Sequence, residues 1–159
     1  MDPMLNIAFK EWSAVCKALA SGLQTVILRK GGISETGGVF RPEHDRFWLY
    51  PTHFHEQQQA GLKPEHLNLL EAGSTELNDD GKLCLTHWVE VNQVMYLTDL
   101  DEVLNLNYLH VLNEETVKQR YQYRRPGLYF FWVSVHRANE PLVISVRPEY
   151  AGCKTWVEL

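Results

Sequence analysis

Apolar residues at Phe9, Trp12, Cys16 and Leu19 recur at spacings of three, four and three, the mark of one helical face, and Gly22 stands where such a helix stops. The spacing therefore predicts a helix ending near Gly22. Thr25 to Lys30 is a β-branched run closed by glycines, which predicts a strand. Gly31 to Asp45, with four glycines and a proline, reads as a loop or loose hairpin. Arg46 to Thr52 is aromatic on both faces, as a buried strand is, and Pro51 is expected to end its pairing. Pro64 opens a short helix that Gly73 stops. From Leu83 to Val91 apolar and polar residues alternate along a strand, and a second strand is expected near Val94. Asp99 and Asn113 are predicted helix caps. Glu114 and Glu115 lie in the first turn of the second helix, and Lys118, Arg120 and Arg124 toward its end, which suits the helix dipole. Leu128 to His136 predicts a central strand, Ala138 to Pro141 a turn, and Leu142 to Arg147 its antiparallel neighbour.

This irregular alternation predicts an α+β fold: a mixed, mostly antiparallel sheet or partly closed barrel with flanking helices. Without repeat, low-complexity tract or linker, residues 1–159 read as one domain. With 18 aromatics and 45% hydrophobic residues the chain is expected to build its own core, and disorder is excluded. The longest apolar run, Leu128 to Val133, is too short to span a membrane. A basic start followed by an apolar stretch is missing at the N-terminus, so a cytoplasmic location is expected. Cys16, Cys84 and Cys153 are odd in number and widely spaced, and are read as small core residues rather than disulfides or zinc ligands.

The net charge of −5 is unevenly spread: residues 1–60 are neutral, 61–116 carry −9 and 117–159 carry +4. A basic C-terminal third can present a positive face despite the overall sign, although the acidic middle also fits solvated loops and helix N-termini. Motifs for common catalysis are missing. Neither phosphate-loop spacing occurs, the Nudix-like start at Gly37 and Glu43 lacks its later carboxylates, and Glu90 is followed two positions on by Asn92 where a nuclease pattern needs lysine.

Two constellations remain. His53 and His55, if the chain stays extended past Pro51, project from one face about 7 Å apart, with Glu43, Asp45 or Glu56 as a third ligand for a divalent transition metal that could activate water. The competing reading is a hydrogen-bonded cluster bracing the glycine-rich loop, or surface histidines. The second constellation is cationic: Arg29, Lys30, Arg120, Arg124, Arg125 and Arg147, with Tyr121, Tyr123 and Trp156 interleaved, suit phosphates and stacked bases. Arginines at a helix C-terminus also have a purely structural reading.

The run from Leu28 to Ile33, Glu43-His44, Phe47-Trp48-Leu49-Tyr50-Pro51-Thr52 with His55, and the ending Tyr150 to Leu159 together resemble the domain of unknown function 1802 family of bacterial, notably cyanobacterial, proteins. The resemblance spans nearly the whole chain. It implies no established catalytic residues; some relatives are joined to restriction-endonuclease-like domains, which implies a restriction or other nucleic-acid context and a nuclease subunit as a possible partner. Glu56 stands where that family commonly has Gln. Over about twenty residues, the helix ending Ala20-Ser21-Gly22 and the strand Thr25 to Arg29 resemble the start of PUA-like and ASCH domains, small barrels that often hold RNA or modified bases. The expected function is a binding module, without catalysis, for nucleic acid or a nuclease partner; a metal-dependent hydrolase and a protein-binding scaffold are the alternatives.

Overall fold

Residues Ile7–Trp12, expected to be helical, form the first strand, β1, and helix α1 occupies only Ser13–Ser21, closing at Gly22. Strand pairing overrides the local periodicity here. β1 lies parallel to β5 (Arg46–Thr52) and antiparallel to β8 (Trp156–Glu158), so its side chains alternate instead of sharing one face. Phe9 faces inward, stacked on Phe47 at 5.0 Å, while Ala8 packs in the cluster on the other side of the sheet. The computed structural model describes residues 2–30, 33–36, 39–70, 77–152 and 154–159; the expected roles of Gly31, Gly32, Gly37, Gly38, Gly73 and Cys153 lie outside these.

Strand β2 (Val26–Arg29) follows α1, then the hairpin of β3 (Ile33–Thr36) and β4 (Val39–Pro42) expected as a loose one. After β5 come helix α2 (His55–Gly61) and a 3-10 segment at Pro64–Leu70. β6 (Leu83–Leu97) and β7 (Leu128–Ile144) are single long strands paired along their length, where two shorter strands each were expected. The expected turn at Ala138–Pro141 is absorbed inside β7. Leu85 pairs with Leu142 and His87 with Arg137, so one residue of β6 opposes four of β7 and the irregularity is held within the ladder. Between them lie α3 (Leu100–Leu104), capped by Asp99, and α4 (Glu114–Gln122), capped by Asn113, whose Oδ1 accepts from the Thr116 amide at 2.9 Å. Pro51 ends less than expected: pairing with β6 stops at Trp48, but the parallel register with β1 continues to Thr52.

The six-stranded sheet has the order β2-β7-β6-β5-β1-β8 and does not close. It curls nevertheless, because Arg29 of edge strand β2 touches Lys10 and Glu11 of β1, four positions away in the order. Inside the curl lies the main core. Phe9, Phe47, Phe130 and Phe131 are fully buried there, contributing roughly 1.5–3 kcal/mol each. A second cluster, with Trp48, Tyr50, Leu85 and Tyr150, covers the outer face, which accounts for the two-faced aromatic pattern of β5. Cys16 and Cys84 are half-buried, and the Cys16 thiol donates to the Glu11 carbonyl at 3.7 Å. No helix of the described residues is long and apolar enough to cross a membrane.

Candidate nucleic-acid interface

The opening between β2 and β1 gathers the charged groups that the linear sequence separates. Glu11, almost fully buried, turns its carboxylate toward Arg29, with Oε2 3.2 Å from Nη2, and its Oε1 accepts from the Trp12 amide at 2.8 Å. The Arg29 guanidinium also donates to the Lys10 carbonyl and lies 4.4 Å above the Phe9 ring. On the other side Arg120, from the last turn of α4, rests on the Trp12 indole at 5.0 Å and donates to the Leu28 carbonyl at 3.4 Å. Burial pulls the Arg120 pKa below its usual value; the Glu11 carboxylate opposes that shift and the Arg29 charge adds to it. One carboxylate thus faces two guanidinium groups.

Lys30 is put to a different use. Its ammonium donates to the carbonyls of Tyr121 and Gly127, each at 2.6 Å, and to that of Arg125, so its three donors cap the C-terminal end of α4. Burial and then the Arg125 charge lower its pKa. The expected phosphate contact at Lys30 is thereby replaced by a structural one, and the loop it grips presents Tyr123, Arg124 and Arg125 to solvent. Arg124 sits in the left-handed region at φ 64°, and its guanidinium lies 5.2 Å from the Tyr123 ring. Gly127 closes the loop at φ 141°, where a Cβ would stand 2.1 Å from the Tyr96 hydroxyl.

Leu28, Arg29, Lys30, Gln119, Arg120 and Tyr123 line one cleft of about 340 Å³. Three of the expected nucleic-acid residues, Arg29, Lys30 and Arg120, therefore line it, and Arg124 and Arg125 follow Tyr123 on the adjoining exposed loop. Arg147 and Trp156 do not join them. Arg147 lies beside Glu149 at 4.0 Å, next to the short helix at Pro148–Tyr150. Trp156 is half-buried against the core, packed edge-on on Phe9 and Phe47 at 5.0 Å each and on His44 at 4.9 Å, because β8 adds to the sheet beside β1.

The histidine pair meets a changed backbone. α2 begins at His55, whose amide bonds the His53 carbonyl at 2.9 Å, so the extended spacing that would set His53 and His55 side by side is not formed. Both are exposed, as are Glu56 and, on the loop before β5, Glu43 and Asp45. Glu43, His44 and Asp45 instead border a separate shallow cleft of about 830 Å³ with Val91 to Val94. Among the described residues no three His, Cys, Asp or Glu side chains are grouped to hold a metal ion.

Glu11, Trp12 and Gln119 escape the sequence reading. Glu11 follows an apolar run in the sequence, and an acid that is buried in that setting calls for a cationic partner.

Similar solved structures share this architecture. The crystal structure of ASCH from Zymomonas mobilis matches with 14% identity and a TM-score of 0.57, covering 96% of this chain and 86% of that one. Two mutant proteins of the same Zymomonas mobilis ASCH match at 12% and 14% identity, with TM-scores of 0.56 and 0.55, over 96% of this chain and 87% and 88% of theirs. At such identities the likeness establishes an ASCH-like fold. No curated protein matches significantly. The sequence pattern of one family extends over residues 8–159, essentially the whole chain, and the protein belongs to that family, described as Domain of unknown function (DUF1802).

Proposed function

We propose that this domain binds single-stranded nucleic acid at the cleft between β2 and α4, with Arg124 and Arg125 on phosphates and Tyr123 as a stacking surface. The observation that carries the reading is the convergence of Arg29, Arg120 and Tyr123 on one cleft, with Arg124 and Arg125 on the adjoining loop, in a chain whose net charge is −5. Guanidinium groups beside an aromatic ring form the usual platform for a single strand: planar forks meet phosphate oxygens, and the ring meets a base face whatever its identity. Lys30 supports the arrangement by fixing the loop before a ligand arrives, which lowers the entropy lost on binding. The ASCH-like fold agrees with it. The nuclease partner implied by the family resemblance has no feature among the described residues that speaks for it, so the proposal is confined to nucleic acid.

The Arg124→Ala, Arg125→Ala double variant tests this by fluorescence anisotropy with a labelled single-stranded RNA across a salt series. Both side chains are exposed and the fold should keep its melting temperature. Affinity near 0.1 M salt should fall about tenfold or more, and the slope of log K against log salt should become shallower by about 1.4, two released contacts at 0.7 each. Equal affinity and slope in both proteins would refute the assignment.

A further inference from the structure

A second groove runs along the other side of Arg120. Its wall is formed by Trp12, Gln57, Gly61, Glu115, Gln119 and Arg120, and it encloses about 380 Å³ between α2 and α4. Gly61 lets α2 lie directly on the indole: a Cβ there would meet the Trp12 ring at 2.7 Å. Gln119 and Arg120 border both cavities, so Arg120 stands as a partition, stacked on Trp12 toward one side and facing Tyr123 on the other. Glu115 and Gln119 stand one helical turn, about 6 Å, apart on α4 and Tyr123 follows as its C-cap, so the two cavities are consecutive stations on one path.

The polar groups at the rim differ in kind from those of the first cleft. Thr116 is already used, donating to the Gly61 carbonyl at 3.1 Å. Arg120, which only donates, is engaged by the Trp12 ring and the Leu28 carbonyl; the other polar residues lining the groove are Glu115, whose carboxylate only accepts, and Gln57 and Gln119, whose amides accept and donate. A carboxylate beside amides reads a base edge that carries an amino group, and it repels an edge of carbonyl oxygens. We propose that this groove takes one unpaired amino-bearing base, adenine or cytosine in preference to uracil, from the strand whose phosphates lie on Arg124 and Arg125. This inference rests on the nucleic-acid reading above and adds base selectivity to it.

The test is anisotropy binding of oligo(A), oligo(C) and oligo(U) RNAs of equal length to the wild type, to Glu115→Gln and to Arg124→Ala, Arg125→Ala. The wild type should favour the A or C strand over U by about tenfold, the size of one good base contact. Glu115→Gln should reduce that preference at least threefold, with U binding strengthened as the repulsion of its carbonyl edge is removed, whereas the arginine variant should weaken all three strands by a common factor. RNA binding without A or C preference, or a preference untouched by Glu115→Gln, overturns the base groove and leaves the nucleic-acid reading standing. Failure of all three strands to bind overturns both.

Discussion

Acidification from pH 7 to pH 3 should cost this fold on the order of 4–5 kcal/mol through a single side chain, His110. The ring is almost fully buried, and its Nδ1 accepts from the Leu112 amide at 3.1 Å, which leaves the proton of the neutral ring on Nε2. Nε2 is buried with no partner among the described residues. Lys63, whose ammonium donates to the carbonyls of Asn107 and of His110 itself, places a positive charge alongside, and Arg120 adds another. Burial first, then these two charges, push the His110 pKa from 6.5 down to about 3. The folded protein thus holds the ring neutral where the unfolded chain protonates it. The stabilisation is complete above pH 6.5 and is lost as pH falls toward 3: about 2 kcal/mol by pH 5, then about 1.4 kcal/mol per further pH unit. Urea midpoints measured from pH 7 to pH 4 should show this slope. His110→Asn, whose side-chain oxygen can still accept from the Leu112 amide, should be less stable at pH 7 but flatter with pH. Parallel curves for the two proteins would refute the assignment.

Glu11→Ala should be the most damaging change at the cleft, destabilising the fold by about 3–5 kcal/mol, the usual effect of leaving a buried charge without its counter-ion. Among the described residues Glu11 is the carboxylate paired with Arg29, and it also faces Arg120. Removing it sets two guanidinium groups against each other and frees the Trp12 amide, which now donates to Oε1. For a chain of this length the loss corresponds to a melting temperature lower by about 10 °C. The companion variants are the single substitutions Glu11→Leu and Arg29→Met and the double substitution that combines these two. If the pair acts as described, the double variant should be at least 1 kcal/mol more stable than the two single losses added together. Strict additivity would mean that the two groups do not stabilise one another.

The sequence reveals most where the deciding interaction is local. The N-cap of α4 at Asn113, its acidic first turn, the end of α1 at Gly22 and the bounds of β5 follow from neighbouring residues, and each is found at its expected place. It reveals least where a distant partner decides. Phe9 and Trp12 fit a helical stripe until β5 and β8 supply strands to pair with, and Ala138–Pro141 resembles a turn until the β6 ladder holds it in line. The site follows the same rule. Arg124 and Arg125 are exposed cations, as a basic run suggests. Lys30 is indistinguishable from its neighbour Arg29 in sequence, yet three carbonyls brought from 91 to 97 residues away consume it. Trp156 reads as an interleaved aromatic and is laid against the core by a three-residue edge strand.

An NMR titration of backbone amides with a short single-stranded RNA locates the binding surface residue by residue. Shifts should cluster at Leu28 to Lys30 and at Gln119 to Arg125, on both walls of the β2–α4 cleft, and spare Glu43 to Arg46 at the separate cleft. Shifts centred on Glu43 to Arg46 and Val91 to Val94, or a spectrum unchanged at saturating RNA, would contradict binding at the β2–α4 cleft.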